Sequence, residues 1–167
     1  MSNVRVCVDV VGGDEKPQVV LDGIEAALAA DPDIEVLAAG PAEIVNPFAA
    51  SHARVEALEA PDVIAMDDDP IRAVMTKRKS SIVLSCRAIK KGNADAFFSA
   101  GSTGALLAGA TLVVKRIRGL RRAALAPTIP TMTGKAVLID CGANVDARPS
   151  HLVQFAMMGS IYICLLY

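Results

Sequence analysis

The sequence predicts a three-layer α/β fold, Rossmann-like, with a mainly parallel sheet, and three observations carry that reading. Short apolar runs rich in β-branched residues alternate along the chain with segments of helical spacing, the pattern of strand, crossover helix and next strand. Hydrophobic residues make up 53% of the 167 and charged residues 21%, with no low-complexity tract and no internal repeat. That composition favours a buried core within a single α/β domain, 1–167. Third, several strand-like runs end in polar loops containing glycine, and an open parallel sheet places such loops along one edge.

Taken in order, Arg5 to Val8 is rich in β-branched residues and predicts the first strand. Pro17 to Ala30 opens on a proline suited to a first helical turn and brings Val20, Ile24, Ala27 and Leu28 to one face, so a helix is expected. Glu35 to Ala38 reads as a second strand, Ala42 to Phe48 as a short helix, Arg54 to Leu58 as a third strand and Val63 to Met66 as an extended connector. Asp69 at the N-cap and Pro70 at the first helical position start a helix reaching Arg78, and after Ser80-Ser81 another runs from Ile82 to Lys90. Ala94 to Phe98 is then a strand, Gly104 to Arg116 a helix, Ala123 to Leu125 and Ala136 to Asp140 strands, and Ser150 to Leu165 the last helix.

The loop Ser99-Ala-Gly-Ser-Thr-Gly104 has the make-up of an anion cradle. Gly101 and Gly104 permit a sharp turn and close backbone approach, Ser99, Ser102 and Thr103 add hydroxyls, and the first amides of the following helix lack partners of their own. The first strand ends in Asp9 and Gly12-Gly13-Asp14, and the 136–140 strand in Asp140-Cys-Gly-Ala-Asn144. If all three strands belong to one parallel sheet, the three loops converge on one cleft. Each alone also has a plain structural use, as a turn, a cap or a left-handed residue.

Several functions are disfavoured. Seventeen basic against eighteen acidic residues, and aromatics at 4% with no Trp, argue against a nucleic-acid partner. Cys7, Cys86, Cys141 and Cys164 are far apart, and His52 and His151 are the only histidines, so no metal site is expected. The opening residues lack a basic segment followed by an apolar one and a small-residue cleavage site. The stretch Leu152 to Tyr167 falls short of the roughly 20 residues of a membrane span. A cytoplasmic protein with reduced thiols is the expectation. A dinucleotide site is a poor fit, since the first strand is followed by Gly12-Gly13-Asp14 and not by G-x-G-x-x-G.

A set of spaced motifs narrows the reading. Val8-Asp9 with Gly12-Gly13-Asp14 and Pro17, Lys79-Ser80-Ser81, Ala94-Asp95-Ala96 with Ser99-Ala-Gly-Ser-Thr-Gly-Ala105, Asp140-Cys-Gly-Ala-Asn144, and Met158-Gly159-Ser160 with Tyr162 follow one another from about residue 4 to 162. In these the chain resembles the acyl-carrier-protein phosphate acyltransferases of bacterial phospholipid synthesis. The resemblance implies transfer of a fatty acyl group from an acyl carrier protein thioester to inorganic phosphate, without a cofactor. It also implies a homodimer and a fold similar to that of isocitrate and isopropylmalate dehydrogenases. Members of that family are substantially longer, so the chain is expected to be an N-terminal part with incomplete catalysis. It also departs from them at Val10-Val11, Cys141, Arg121-Arg122-Ala123 and the tail beyond Tyr162.

Under that reading Ser99, Gly101, Ser102, Thr103 and Gly104 hold phosphate or acyl phosphate oxygens, with Lys79 as a further positive charge if its helix faces the cleft. Asn144 is the expected donor near the carbonyl, and Asp14 and Asp140 orient donors or handle a proton. Lys115, Arg116, Arg118, Arg121 and Arg122, five cations in eight residues, form a docking surface for the acidic carrier protein, with an anionic membrane surface as the weaker alternative. The same cations also complement a helix C-terminus. Two rival functions remain: a phosphate acetyl- or butyryltransferase using coenzyme A, and an inactive module that binds anions and self-associates. For the latter, Leu152, Phe155, Ala156, Gly159 and Ile163 form one apolar face of the last helix, widened by Met158, Ile161, Tyr162 and Leu165.

Overall fold

The computed structural model describes residues 3–165, which fall into two compact units, residues 3–115 and 116–165. In the first unit β1 (Val4–Asp9), β2 (Ile34–Gly40), β3 (Val55–Glu59) and β4 (Ala96–Phe98) form a four-stranded sheet in the order β3-β2-β1-β4, every neighbouring pair parallel. The helices between them are α1 (Pro17–Ala30), α2 (Ala42–Ser51), α3 (Pro70–Thr76) and α4 (Ser81–Lys91). After β4 comes α5 (Thr103–Gly109), which continues as a π-helical turn over Ala110–Val114.

Both faces of the sheet are apolar because β1 and β2 carry apolar residues at odd and even positions alike, as strands buried on both sides do. Val8, Val36 and Ala38 face α1 and α2, packing on Leu21, Ile24, Leu28, Val45 and Phe48. Cys7, Leu37 and Ala39 face the opposite way, against Ala88 of α4. A further cluster joins α3, α4 and α5 through Val74, Ile82, Val83, Cys86 and Ala105, with Phe97 of β4 packed on its edge. The three layers expected from the sequence are therefore present.

Local chemistry sets the helix ends. The Asp69 carboxylate accepts from the Arg72 amide at 2.7 Å with Pro70 next in line, so α3 starts where the sequence predicts, though it ends at Thr76, short of Arg78. Ser80 accepts from the Val83 amide at 3.4 Å to start α4, and Gly92 ends it with a φ of 73°, the left-handed position in which glycine is least strained. Arg54 clasps the end of α1 to the start of β2: its guanidinium donates to the carbonyls of Leu28, of Asp31 at 2.8 Å and of Ile34 at 2.9 Å.

In the second unit β5 (Thr128–Thr131) and β6 (Gly134–Val137) pair antiparallel as a hairpin turned at Met132-Thr133, and α6 (Pro149–Leu165) follows. Here the sequence reading needs correcting. Residues 123–125 form no strand, and the predicted 136–140 strand lies at 134–137 in a separate two-stranded sheet, not in the parallel one. The Thr-x-Pro-Thr-Met-Thr-Gly run has a turn at its centre, and hairpin pairing through a short local turn needs no crossover. The last helix matches expectation in extent, but His151, Phe155 and Gly159 point inward, and Phe155 is 1% exposed. The exposed side carries Leu152, Val153, Met157, Ile161, Tyr162 and Leu165. No helix among the described residues is long and apolar enough to cross a membrane.

Candidate phosphate loop

The first two loops singled out by sequence are held together by one buried carboxylate. Asp9 ends β1 only 1% exposed. Its Oδ2 accepts the Ser99 hydroxyl at 2.8 Å, and its Oδ1 accepts the Val11 amide at 3.3 Å. The Ser99 oxygen in turn accepts the Gly101 amide at 3.0 Å. A carboxylate can only accept, so the direction of each bond is settled: the Ser99 proton is given to Asp9, and the Gly101 N–H is turned into the loop.

Close packing explains the glycines. A Cβ on Gly12 would lie 1.8 Å from Asp9 Oδ2, and one on Gly101 would lie 3.2 Å from the Gly12 α-carbon. Gly13 comes near Ala100 in the same way, at 3.3 Å from its Cβ, so residues 12–13 and 99–101 form one double-layered turn at the carboxyl edge of β1 and β4. Gly104 is constrained from the other side, where an added Cβ would meet the Pro70 ring at 2.7 Å. Ser102 is buried and caps α5, accepting from the Ala105 amide at 3.4 Å, while Thr103 is exposed. Asp9 has no part in the sequence-based assignment. Its signal in the sequence is an acid that follows the apolar run Val6 to Val8 and stands three residues ahead of Gly12-Gly13.

The remaining assigned residues are placed as follows. Asp14 is exposed on the rim of the first loop, and Lys79 is exposed in the turn between α3 and α4, where its backbone carbonyl accepts from the Asp62 amide at 3.4 Å. Asp140 and Asn144 belong to the second unit and form a clasp there. Asp140 accepts the Leu125 amide at 2.9 Å, the Asn144 amide at 2.8 Å and the Asn144 side chain at 2.9 Å. The Asn144 amide group also donates to the Ala123 carbonyl at 2.9 Å, so both of its hydrogens are engaged within the loop. Burial works to raise the Asp140 pKa, but the bonds from Asn144, Leu125 and Ala143 outweigh it and hold the carboxyl below its ordinary value. Lys115, Arg116, Arg118, Arg121 and Arg122 are all exposed, and the Arg116 guanidinium donates to the Arg121 carbonyl.

The thiols in the first unit offer no nucleophile. Burial pushes Cys7 and Cys86 each up to about 11, with Cys7 3.1 Å from the Ser85 hydroxyl, so both stay protonated near neutral pH. Among the described residues no group of three or more His, Cys, Asp or Glu is placed to hold a metal ion. The chemistry on offer is that of a pre-shaped polar turn, with the Ser102 to Gly104 backbone and the Thr103 hydroxyl at its rim.

Comparison with known proteins narrows this further. The family described as fatty acid synthesis protein matches residues 4–165. The phosphate acyltransferase of Bacillus pumilus is 46% identical over 160 residues, 95% of this chain and 48% of that protein. Those of Listeria welshimeri, at 45% over 160 residues, and Levilactobacillus brevis, at 45% over 163, are matched to the same extent of this chain. The chain spans about half the length of these relatives.

Proposed function

Because the chain belongs to the fatty acid synthesis protein family, we propose that it carries the phosphate-holding part of an acyltransferase that moves a fatty acyl group from an acyl carrier protein thioester to inorganic phosphate. The observation that carries this is the double turn in which Asp9, Ser99 and Gly101 fix the backbone ahead of Ser102, Thr103 and Gly104. Attack of phosphate on a thioester needs no covalent intermediate on the enzyme. It needs the anion held in line, the carbonyl polarised and the departing thiolate stabilised or protonated.

Within this reading the residues divide by their bonds. Thr103 and the amides of Ser102 to Gly104 receive phosphate oxygens, while Ser99 and Gly101, whose hydrogens are taken up inside the turn, hold its shape. Lys79 adds positive charge and Asp14 orients a donor at the loop's rim. Asn144 and Asp140 serve the carbonyl end, Asn144 exchanging one of its loop bonds for the substrate oxygen. The exposed cations from Lys115 to Arg122 receive the acidic carrier protein, acting on encounter rate and orientation. The working protein is a homodimer in the cytoplasm.

Phosphate titration followed by amide NMR tests the loop: shifts should centre on residues 99–105, and shifts elsewhere, or none at high phosphate, would remove the core of the reading. A thiol-release assay tests the reaction. Phosphate-dependent release from acyl carrier protein is expected of a full-length relative, and feeble or absent release from the 167-residue chain. Equal use of acyl coenzyme A by the relative would favour the coenzyme-A-dependent alternative.

A further inference from the structure

The second unit holds an apolar groove of its own. About 520 Å³ in volume, it is lined by Ile117 and Leu120 from the loop before β5, by Ile139, and by Met157, Met158 and Ile161 of α6. Ile117 is 77% exposed and Ile161 62%, so much of this apolar surface lies open. Polar bonds at the edge hold the groove in shape: Gln154 of α6 donates to the Gly119 carbonyl at 3.2 Å and accepts the Arg121 amide at 3.0 Å, which pins the loop to the helix. The same loop carries Arg116, Arg118, Arg121 and Arg122, all exposed, and Arg118 lines the groove itself. Neither residues 116–122 nor α6 contains an acid. An apolar hollow with a cationic rim suits a ligand that is hydrocarbon at one end and negative at the other. Ile139 joins the groove to the loop assigned to the carbonyl end. It directly precedes Asp140, which accepts both the amide and the side chain of Asn144, and it packs so closely on α6 that a Cβ on Gly159 would lie 2.9 Å from it.

We propose that this groove takes the hydrocarbon chain of the fatty acyl group, with Met157, Met158 and Ile161 deciding how much of it is buried. The proposal deepens the acyl-transfer reading and rests on it for the identity of the acyl group. Methionine has the flexible, polarizable side chain that adapts to chains of differing length. A second copy is a poorer occupant, because it would set Arg118, Arg121 and Arg122 against the same cations with no acid on this face to pair them. A bilayer is flat and suits a raised apolar face, whereas a hollow admits a single chain. The first unit has a groove of similar size beside Phe98, about 530 Å³, but no cation lines it, and it serves as the control.

Titration of this chain with octanoate, decanoate and dodecanoate, followed by amide NMR, tests the site. Shifts should centre on 117–120, 139 and 157–162, and each added methylene should tighten binding about fourfold, from about 0.8 kcal/mol per methylene buried. Dodecylamine, with the same tail and the opposite charge, should bind about fivefold more weakly. Ile161→Gln, at an exposed helix position, should weaken dodecanoate about fivefold without moving the unfolding midpoint. Binding independent of chain length, or shifts centred on the groove beside Phe98, would overturn the proposal. So would phosphatidylglycerol vesicles that shift these signals where dodecanoate does not. Thiol release by the Bacillus pumilus relative with its KM for a dodecanoyl thioester unmoved by Ile161→Gln, made at the aligned position, would overturn it too, and would leave the transfer reading standing. Absent phosphate-dependent release from that relative, with dodecanoate seated at 117–120 and 157–162, would instead overturn the transfer reading and leave the groove as a fatty-acyl site.

Discussion

Asp9 and Ser99 show how the shape of a Gly-Ser loop depends on a buried carboxylate at the end of a neighbouring strand. Ser99→Ala removes the one side-chain donor, among the described residues, to a carboxylate 1% exposed, and leaving such a group short of a partner costs about 1–3 kcal/mol. The expected outcome is a loss of that order in denaturant unfolding, with phosphate affinity falling as Gly101 loses its acceptor. Gly12→Ala should be worse, because a methyl group 1.8 Å from the Asp9 oxygen forces the two turns apart. The loops were legible in the sequence as Gly, Ser and Thr at strand ends. The direction of the bonds was not, because a serine's role as donor or acceptor depends on a partner 90 residues away.

Single side chains also decide how elements join. Arg54→Ala should uncouple the end of α1 from the start of β2, since a charged donor serving several carbonyls is replaced by none, and a loss of about 1.5–3 kcal/mol is expected from thermal or denaturant unfolding. In the second unit the Asp140 clasp sets a pH dependence. Its folded pKa is depressed, so its contribution is present above the unfolded value of about 4 and is lost as pH falls through the lower folded value. Acid titration of the 125–144 amide signals should show that loss, and Asp140→Asn should abolish it. The strand forecast at 123–125 failed here because the apolar run Ala123-Ala124-Leu125 fits a strand as readily as the extended loop that lies against Asp140 and Asn144.

For the molecule as a whole, the expectation concerns what binds and what turns over. Binding of an anion at 99–105 needs only contacts that lie within the first unit, whereas rate in acyl transfer comes from positioning and exclusion of water around both substrates. The chain should therefore bind phosphate in the NMR titration while releasing thiol far more slowly than a full-length relative. Thr103→Ala and Asn144→Ala, made at the aligned positions of that relative, should each lower its phosphate-dependent turnover at least tenfold, as expected when a donor to developing charge is lost. Unchanged turnover in both would show that the roles belong to other residues.

The sequence by itself determined the α/β class with a mainly parallel sheet, the places of β1, β2 and β3 and the helix starts at Asp69 and Ser80, because these follow from local periodicity and capping that a short window contains. It also carried the family, through motifs spaced over most of the chain. The tertiary structure alone decided that Asp9 anchors the turn at Ser99 to Gly101, that residues 134–137 pair in a hairpin and not in the main sheet, and that Phe98 faces an open groove. Those outcomes turn on which distant segments meet, and pairing energy between distant residues leaves no period and no cap in the local sequence to read.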